Sequence, residues 1–261
     1  MTGNESIATY TRAVLVTLAL PAFDEAPNIE RVVHDALAAL DAARVDGELL
    51  LVDDGSADGT GALMDGIAAR EPRVRVVHHA TNRGFSGAMT TALREARGEW
   101  VFLAPADGQI DMRELTRFLA ARANADIVVG IRDHRVERIG RVLLSHAFHR
   151  IAKTLFPLPL AEFSSVFLFR RSLIDGMSLR SRPRSATFLP EVLYRANARH
   201  AQFVQLVIEH RPRMGGRAKG AQLSVAFYTL VELMRLAPLV RWDEFRARGP
   251  VRSAVRPARR P

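Results

Sequence analysis

Two acidic turns contain the side chains of this sequence that are best suited to bind a ligand. Asp53 and Asp54 stand side by side, and Asp107 is followed two residues later by the amide Gln109. Adjacent carboxylates repel each other unless a cation or a donor faces them. Such a pair either caps the next helix or binds a base, a ribose or a cation, and the second acidic turn favours binding.

Asp107 and Gln109 are also the candidate metal ligands. Carboxylate and amide oxygens suit Mg²⁺ or Mn²⁺, ions that usually bridge to substrate phosphates. A single carboxylate makes a weak site that nucleotide phosphates would have to complete, and a type I turn at Asp107 and Gly108 is the alternative interpretation. The sequence has no cysteine, which excludes disulfides, thiolate metal sites and a cysteine nucleophile.

A basic, glycine-rich loop at residues 213–220 is the candidate phosphate site. Arg213, Arg217 and Lys219 supply its cations, and its glycines would let backbone amides approach a phosphate. A solvated surface turn is the alternative in a chain whose only lysines are Lys153 and Lys219 among 37 basic residues. The histidines lack metal-ligand spacing, so we interpret them as structural.

Short apolar stretches alternate with helical patterns in the first half of the chain. The predicted strands are 13–20, 48–52, 74–78, 99–103 and 126–130, and the predicted helices are 28–43, 60–70, 82–97 and 111–122. This alternation predicts right-handed βαβ units and an α/β fold with a mostly parallel sheet. Ligands bind such sheets at the carboxyl ends of the strands, which is where the acidic turns fall.

The pattern changes after Arg132. The sequence predicts amphipathic helices over 139–156 and 223–240, a helix over 188–198, and short strands over 166–169 and 203–209. Residues 1–12 are predicted to be flexible. The stretch 241–261 carries seven arginines against two acids, and it is predicted to be a disordered basic tail.

Length and composition are those of an ordinary globular protein. The chain has 261 residues, of which 48% are hydrophobic and 25% charged, and a net charge of +9. A basic excess suggests nucleic acid, but the charge is concentrated in the tail and the strand-end loops are acidic, so we expect no nucleic-acid partner. The sequence shows no signal peptide or membrane-spanning stretch. We therefore expect a cytoplasmic protein, and the oligomeric state stays open.

Several motifs, taken together, resemble one family. They are LPAFDE at 20–25, VDDGSADGT at 52–60, NRG at 82–84, ADGQ at 106–109, GIR at 130–132, SVF at 165–167, and Arg213 with Gly216 and Lys219. This succession resembles family 2 glycosyltransferases and, more narrowly, their dolichol-phosphate mannosyltransferase branch, which acts on polyprenyl phosphates. The resemblance covers roughly residues 14–236.

The resemblance implies a GT-A fold, the fold of nucleotide-diphospho-sugar transferases. One catalytic domain would span residues 13–240, with a nucleotide-binding half at 13–132 and an acceptor-binding half at 133–240. It also implies inverting transfer of a mannose- or glucose-type hexose from a GDP- or UDP-hexose to a polyprenyl or dolichyl phosphate. Mg²⁺ or Mn²⁺ would be the cofactor. Because a polyprenyl acceptor lies in the bilayer, the protein would contact the inner face of the cell membrane peripherally, through the helices at 139–156 and 223–240 and with the basic tail attracted to anionic lipid.

The resemblance further implies roles for individual residues. Those at the base and ribose of the nucleotide are Pro21, Phe23, Glu25, Val52, Asp53 and Asp54. Those that flank the diphosphate and the metal are Ala106, Asp107 and Gln109. Those that meet the acceptor phosphate and the sugar diphosphate are Arg132, Ser165, Arg213 and Lys219, and the expected catalytic residues are Asp107, Arg213 and Lys219.

The sequence departs from the family pattern at four positions. Pro105 replaces the first Asp of the Asp-x-Asp metal motif, which weakens the metal site. Val166 and Ala218 replace a Gly and a Ser, and Glu162 stands where Asp is usual. Two alternatives stay open: a soluble metabolite as acceptor, with Glu162 or Asp107 as base, or a non-catalytic protein that binds nucleotide sugar or nucleic acid.

Overall fold

The computed structural model describes residues 15–132, 150–158, 160, 166–209, 211 and 223–248. Its strands are β1 (Val16–Ala22), β2 (Gly47–Asp53), β3 (Val74–His78), β4 (Trp100–Leu103), β5 (Ile127–Arg132), β6 (Phe167–Arg170) and β7 (Phe203–Ile208). Its α-helices are α1 (Ala26–Ala43), α2 (Thr60–Ala68), α3 (Phe85–Glu95), α4 (Glu114–Ala121), α5 (Arg171–Ile174), α6 (Phe188–Ala198) and α7 (Leu223–Arg248). Residues 150–155 are also helical.

The seven described strands form one sheet in the order β3-β2-β1-β4-β6-β5-β7. β6 runs antiparallel to β4 and β5, and the other neighbouring pairs are parallel. The prediction of a mostly parallel sheet is therefore confirmed. The chain moves outward from β1 to β2 and β3 and then returns to β4 on the other side of β1, so a ligand crevice is expected at the carboxyl ends of β1 and β4.

Helices cover both faces of the sheet, because the central strands are apolar on both sides. Leu18, Leu49 and Leu51 are buried in the core that β1 and β2 share with α1, α2 and α4. Leu50 and Val52 point to the opposite face, where they join a second core with α3, α6 and α7. Alternate residues of one strand thus enter different cores, which explains why β2 is a continuous apolar run.

A buried group of charges holds α7 against α6. Arg195 donates hydrogen bonds from its guanidinium to Glu191 and Glu244 at 2.9 Å each and to Asp243 at 3.2 Å. Arg180 also donates to Asp243, at 2.7 and 3.0 Å. We call Glu191, Arg195, Asp243, Glu244 and Arg180 the helix cluster, and its side chains tie the C-terminal part of α7 to the domain.

The prediction that 223–240 is the last helix and that 241–261 is a disordered tail is wrong for residues 241–248. The helix continues through Pro238 to Arg248. Its continuation is stabilised because Val240 and Glu244 are buried and Asp243 and Glu244 pair with Arg195. Residues 1–12, 139–149 and 249–261 lie outside the described residues. Within the described ranges, no helix combines the length and the apolar character that a membrane crossing requires.

Candidate active site

The loops after β1 and β2 are hydrogen-bonded to each other at the carboxyl ends of their strands. The Asp24 N–H donates to Ser56 Oγ at 2.9 Å, and the Asp24 carboxylate accepts from the Ala57 N–H at 2.9 Å. The Glu25 N–H donates to Thr60 Oγ1 at 2.8 Å. The motif at 20–25 and the motif at 52–60 therefore act as one structural unit.

Asp53 faces the end of β3 and not its neighbour Asp54. Its carboxylate accepts from the Ser56 N–H at 3.0 Å and contacts His78 Nδ1 at 3.0 Å. The other nitrogen of His78 lies 2.9 Å from Asp65, and the hydrogen bonds with Asp53 and Asp65 raise the pKa of His78 above its ordinary value. Gly61 makes this approach possible, since a Cβ there would lie 2.7 Å from Asp53 Oδ2.

Asp54 is buried and holds the loop after β3. Its carboxylate contacts His79 Nδ1 at 2.6 Å and accepts from the N–H groups of Arg83 at 2.9 Å and Gly84 at 2.8 Å. His79 Nε2 in turn lies 2.9 Å from Thr91 Oγ1. These contacts place the motif at 82–84 beside the motif at 52–60.

We call Asp53, Asp54, His78 and His79 the strand-end cluster. The repulsion expected between adjacent carboxylates is relieved, because each carboxylate meets a different histidine and its own backbone donors. The register pairs Asp53 with His78 across β2 and β3, which sequence reasoning did not predict. The double histidine after a strand, next to a double Asp after the preceding strand, is the signal that could have indicated this pairing.

The other residues expected at the nucleotide lie at the carboxyl ends of β1, β2 and β4. Pro21 pairs in register with the buried Val52, and the Ala106 N–H donates to the Pro21 carbonyl at 3.3 Å. Phe23 follows in the β1 loop and is partly buried, and Glu25 is buried and accepts from the Asn28 side chain at 2.8 Å. The structure thus brings these residues to one edge of the sheet.

Asp107 and Gln109 form a tight turn after β4. Asp107 Oδ1 accepts from the Gln109 N–H at 3.1 Å, and Gly108 between them has a left-handed φ of 71°. Gln109 binds the backbone of Arg211 twice, accepting from its N–H at 2.8 Å and donating from Nε2 to its carbonyl at 3.3 Å. This turn therefore anchors Arg211, the described residue that precedes the basic loop at 213–220.

Asp111 adds a second anchor for Arg211. The Arg113 hydrogen bond and the Arg211 charge hold the pKa of the Asp111 carboxyl below its ordinary value, although burial opposes them. The guanidinium of Arg211 also pairs with this carboxylate. Side chain and backbone of Arg211 are thus both fixed at the Asp107 turn.

The Asp107 turn offers few metal ligands. Among the described residues, no three His, Asp or Glu side chains come together in a way that could hold a metal ion. Asp107 can supply one carboxylate and Gln109 one amide oxygen, and Pro105 offers neither. These hard oxygen donors match Mg²⁺ or Mn²⁺, which take about six ligands. The residues present therefore fit a metal whose remaining ligands come from a diphosphate and water.

A loop from the second half of the chain covers the start of α3. The Ser86 N–H donates to the Ser185 carbonyl at 3.2 Å, and the Gly87 N–H donates to the Pro183 carbonyl at 3.0 Å. Gly84 lies against the backbone of Arg184, where a Cβ would come within 2.7 Å. Sequence reasoning missed this contact, because it joins segments about a hundred residues apart.

Four expected site residues lie partly or wholly outside the described residues. Arg132 ends β5, and only its backbone is described. Ser165, Arg213 and Lys219 lie outside the described residues, as does Glu162. Their roles stay predictions.

The fold is that of the GT-A glycosyltransferases. Glucosyl-3-phosphoglycerate synthase from Mycobacterium tuberculosis, solved with phosphoglyceric acid, superimposes with a TM-score of 0.63 at 18% identity, over 86% of this chain and 80% of that chain. A mannosyltransferase from Pyrobaculum calidifontis, solved with GDP-Man and Mn²⁺, gives 0.61 at 19% identity, over 90% of this chain and 70% of that chain. Identities this low establish the fold alone.

The sequence matches the family described as "Glycosyl transferase family 2" over residues 17–178, more than half of the chain. The chain therefore belongs to glycosyltransferase family 2, and both the resemblance and the prediction of a transferase are confirmed.

Curated relatives include enzymes named undecaprenyl-phosphate 4-deoxy-4-formamido-L-arabinose transferase. The one from Enterobacter sp. (strain 638) is 27% identical over 230 residues, 86% of this chain and 68% of the relative. The one from Pseudomonas fluorescens (strain SBW25) is 26% identical over 229 residues, 86% of this chain and 66% of the relative. The chain thus spans about two thirds of the length of these relatives.

Proposed function

We propose that this glycosyltransferase moves a sugar from a nucleotide sugar to a polyprenyl phosphate, with inversion at the anomeric carbon. The observation that carries the proposal is the similarity, over 86% of the chain, to relatives named for an undecaprenyl-phosphate acceptor. The proposed donor is a GDP- or UDP-hexose of the mannose or glucose type. The mannosyltransferase neighbour was solved with GDP-Man, and another structure of the mycobacterial synthase was solved with UDP-Glc, whereas the curated relatives are named for a modified arabinose.

In the proposed reaction an oxygen of the acceptor phosphate attacks the anomeric carbon. The new carbon–oxygen bond forms as the bond to the donor diphosphate breaks, and the nucleoside diphosphate leaves with that electron pair. A phosphate monoester has a second pKa of about 6, so the acceptor is already ionised at neutral pH. No side chain has to remove a proton, and alignment together with charge neutralisation is the task of the enzyme.

The chain's own residues divide this task. The joined loops after β1 and β2 would hold the base and ribose, because their backbone is fixed by the contacts of Asp24 and Glu25. Asp107 and Gln109 would hold Mg²⁺ or Mn²⁺, which when bound neutralises the departing diphosphate. Arg132, Arg213 and Lys219 would bind the two phosphate groups. The anchoring of Arg211 at Gln109 supports this, since the basic loop departs from that point of the chain.

The test is a transfer assay with purified protein, a short water-soluble polyprenyl phosphate, Mg²⁺ or Mn²⁺, and a donor panel. The panel contains GDP-mannose, UDP-glucose and UDP-4-deoxy-4-formamido-L-arabinose, and product is identified by mass spectrometry. We expect Arg213→Ala to lower the rate at least about 100-fold, the scale of one electrostatic stabiliser. Arg217→Ala is the matched control, because it removes a cation of the same loop that lies off the family motif.

Three outcomes would contradict the proposal. Equal losses of transfer rate in the Arg213 and Arg217 variants would show that the loop acts only as a general basic surface. Transfer only to a soluble hydroxyl acceptor, with a large loss in Asp107→Asn or Glu162→Gln, would favour the base-dependent alternative. Binding of a donor without transfer to any acceptor would favour a non-catalytic binding protein. Donor binding is detected as a gain in stability, because a donor at 100 times its dissociation constant should add about 2.7 kcal/mol to the free energy of unfolding.

A polyprenyl acceptor also requires that the protein reach the bilayer, so we propose peripheral membrane contact. The sequence-predicted helices at 139–156 and 223–240 were the expected contact elements, and only 150–156 of the first lies within the described residues.

A further inference from the structure

The helix α7 is apolar on two opposite sides, and within the described residues only one of them packs against the domain. Leu233, Leu236 and Val240 are fully buried in the core beside α6. Phe227, Val231, Met234, Trp242 and Phe245 are exposed, and Phe227 is the most exposed of them at 69%. We call these five exposed residues the outer face.

The outer face is a continuous stripe. Its residues follow one another at intervals of four, three, eight and three positions. At 3.6 residues per turn this spacing confines them to about 80° of the helix circumference and extends them over about 27 Å. Pro238 lies in the same sector and is exposed. The helical spacing of Leu223, Phe227, Leu230, Leu233 and Met234 predicts a single apolar stripe for the helix at 223–240. The structure divides this stripe between two faces, because Leu233 is buried and the adjacent Met234 is exposed.

The charges of α7 are sorted between its two sides. All three acids of the helix, Glu232, Asp243 and Glu244, pair with arginines of the domain or of α7 itself. Arg241 and Arg246 are exposed beside the outer face. The guanidinium of Arg246 lies 5.0 Å from the centre of the Trp242 ring, and Trp242 stacks on Phe245 at 6.0 Å. The outer face thus carries aromatic rings and positive charge.

We propose that the outer face of α7 binds the surface of an anionic lipid bilayer. Aromatic and aliphatic side chains flanked by arginine are the composition of helices that lie in the membrane interface, where rings enter the acyl boundary and guanidinium groups stay with the lipid phosphates. The following sequence at 249–261 adds four arginines and no acid. A second copy of the chain is a poorer occupant, because two outer faces would bring arginine against arginine.

The domain presents this surface rigidly. Glu232, on the inner side of α7, accepts from the Arg182 N–H at 3.1 Å and from Arg235 Nε at 2.8 Å. The helix cluster fixes the same helix about three turns further on. The biological purpose of this surface rests on the proposed function, in which the acceptor is a lipid in the bilayer. A fixed lipid-binding helix would orient the catalytic domain relative to that bilayer.

The test is sedimentation of the full chain with phosphatidylcholine–phosphatidylglycerol vesicles that contain no polyprenyl phosphate. The variant is Val231→Glu, and the matched control is Val207→Glu, which makes the same change at an exposed valine on β7. Val231 is 43% exposed and Val207 is 59% exposed, so neither change should impair folding. We expect Val231→Glu to weaken vesicle binding at least about tenfold and Val207→Glu to change it less than about twofold.

Each other outcome would overturn the proposal. These outcomes are no binding by the unchanged chain, equal losses in both variants, or a stable dimer without lipid that Val231→Glu converts to monomer. A transfer assay with the water-soluble polyprenyl phosphate separates this result from the proposed function. If the unchanged chain binds vesicles but transfers no sugar, the lipid-binding proposal is supported and the proposed function is contradicted. If it transfers sugar but does not bind vesicles, the proposed function is supported and the lipid-binding proposal is contradicted.

Discussion

The strand-end cluster and the helix cluster both contain buried carboxylates, and they differ in the kind of side chain that faces those carboxylates. The strand-end cluster uses histidines, whereas the helix cluster uses Arg195 and Arg180. A guanidinium keeps its charge at every physiological pH, while an imidazole changes charge near neutrality. His78 is therefore a titratable partner of Asp53, whereas the arginines of the helix cluster keep their charge.

The two clusters should therefore lose stability in opposite pH directions, the strand-end cluster as the pH rises and the helix cluster as the pH falls. The hydrogen bonds with Asp53 and Asp65 raise the pKa of His78, so its stabilisation is complete at low pH and is lost as the pH rises through the raised value. Burial raises the pKa of Asp243, but hydrogen bonds from Arg180 and Arg195 outweigh it and hold the pKa below its ordinary value. The contribution of Asp243 is complete above that value and is lost as the pH falls.

The largest expected effect is on the helix cluster. Arg195→Met leaves the buried carboxylates of Glu191 and Glu244 without their cation, so the free energy of unfolding should fall by about 3–5 kcal/mol. Urea unfolding followed by circular dichroism measures this change. Arg94→Met, an exposed arginine on α3, is the control and should change stability by less than about 0.5 kcal/mol. Similar values for both variants would show that the cluster is not a structural anchor.

The next effect is expected at Asp54. Asp54→Asn replaces a carboxylate oxygen with an amide N–H that faces another donor, so we expect a loss of about 2 kcal/mol, as for a hydrogen bond to a charged group. Asp175→Asn is the matched control, because Asp175 is exposed and its carboxylate lies 4.0 Å from its partner Arg171. Denaturant midpoints compare the two, and an equal or larger loss at Asp175 would contradict the anchoring role of Asp54.

Two glycines of α2 should respond with opposite signs to the same change. Gly61→Ala would push a methyl group against Asp53 and should lower stability by about 1 kcal/mol. Gly66→Ala meets no atom within 4 Å and should raise stability by about 0.5–1 kcal/mol, since alanine favours the helix. Thermal unfolding of both variants checks the prediction, and a gain in both would mean that Asp53 is free to move.

The smallest effect is expected from His78. It is partly exposed, so its ion pairs should contribute only about 0.5 kcal/mol. Stability of the unchanged chain should fall slightly as the pH rises through the raised pKa of His78, and His78→Gln should remove that slope. Urea unfolding at a series of pH values measures it. An unchanged slope in the variant would assign the pH dependence to another group.

Much of the fold could be predicted from local patterns. The limits of β3 and α6 agree with the sequence prediction, and most other elements differ by only a few residues. Such elements bury one apolar stripe or a continuous apolar run, which the sequence displays directly. The direction of β6 could not be predicted, because a strand has the same side-chain alternation whichever way it runs.

The sequence predicted the residues of the candidate site better than it predicted the contacts that those residues make. Asp53, Asp54 and Asp107 fall at strand ends as expected, because the βαβ pattern places the ends together. The pairing of Asp54 with His79 and the attachment of Gln109 to Arg211 involve residues that are distant in sequence, so local spacing contains no signal for them.

By itself the sequence determined the class of fold, the family and the acidic strand ends, since each depends on residue type and on spacing within short segments. The tertiary structure alone decided which carboxylate faces which histidine, where the loop at 180–188 packs, and which side of α7 stays outside. The physical reason is that these outcomes depend on burial and hydrogen bonds between segments that come together only when the sheet has formed.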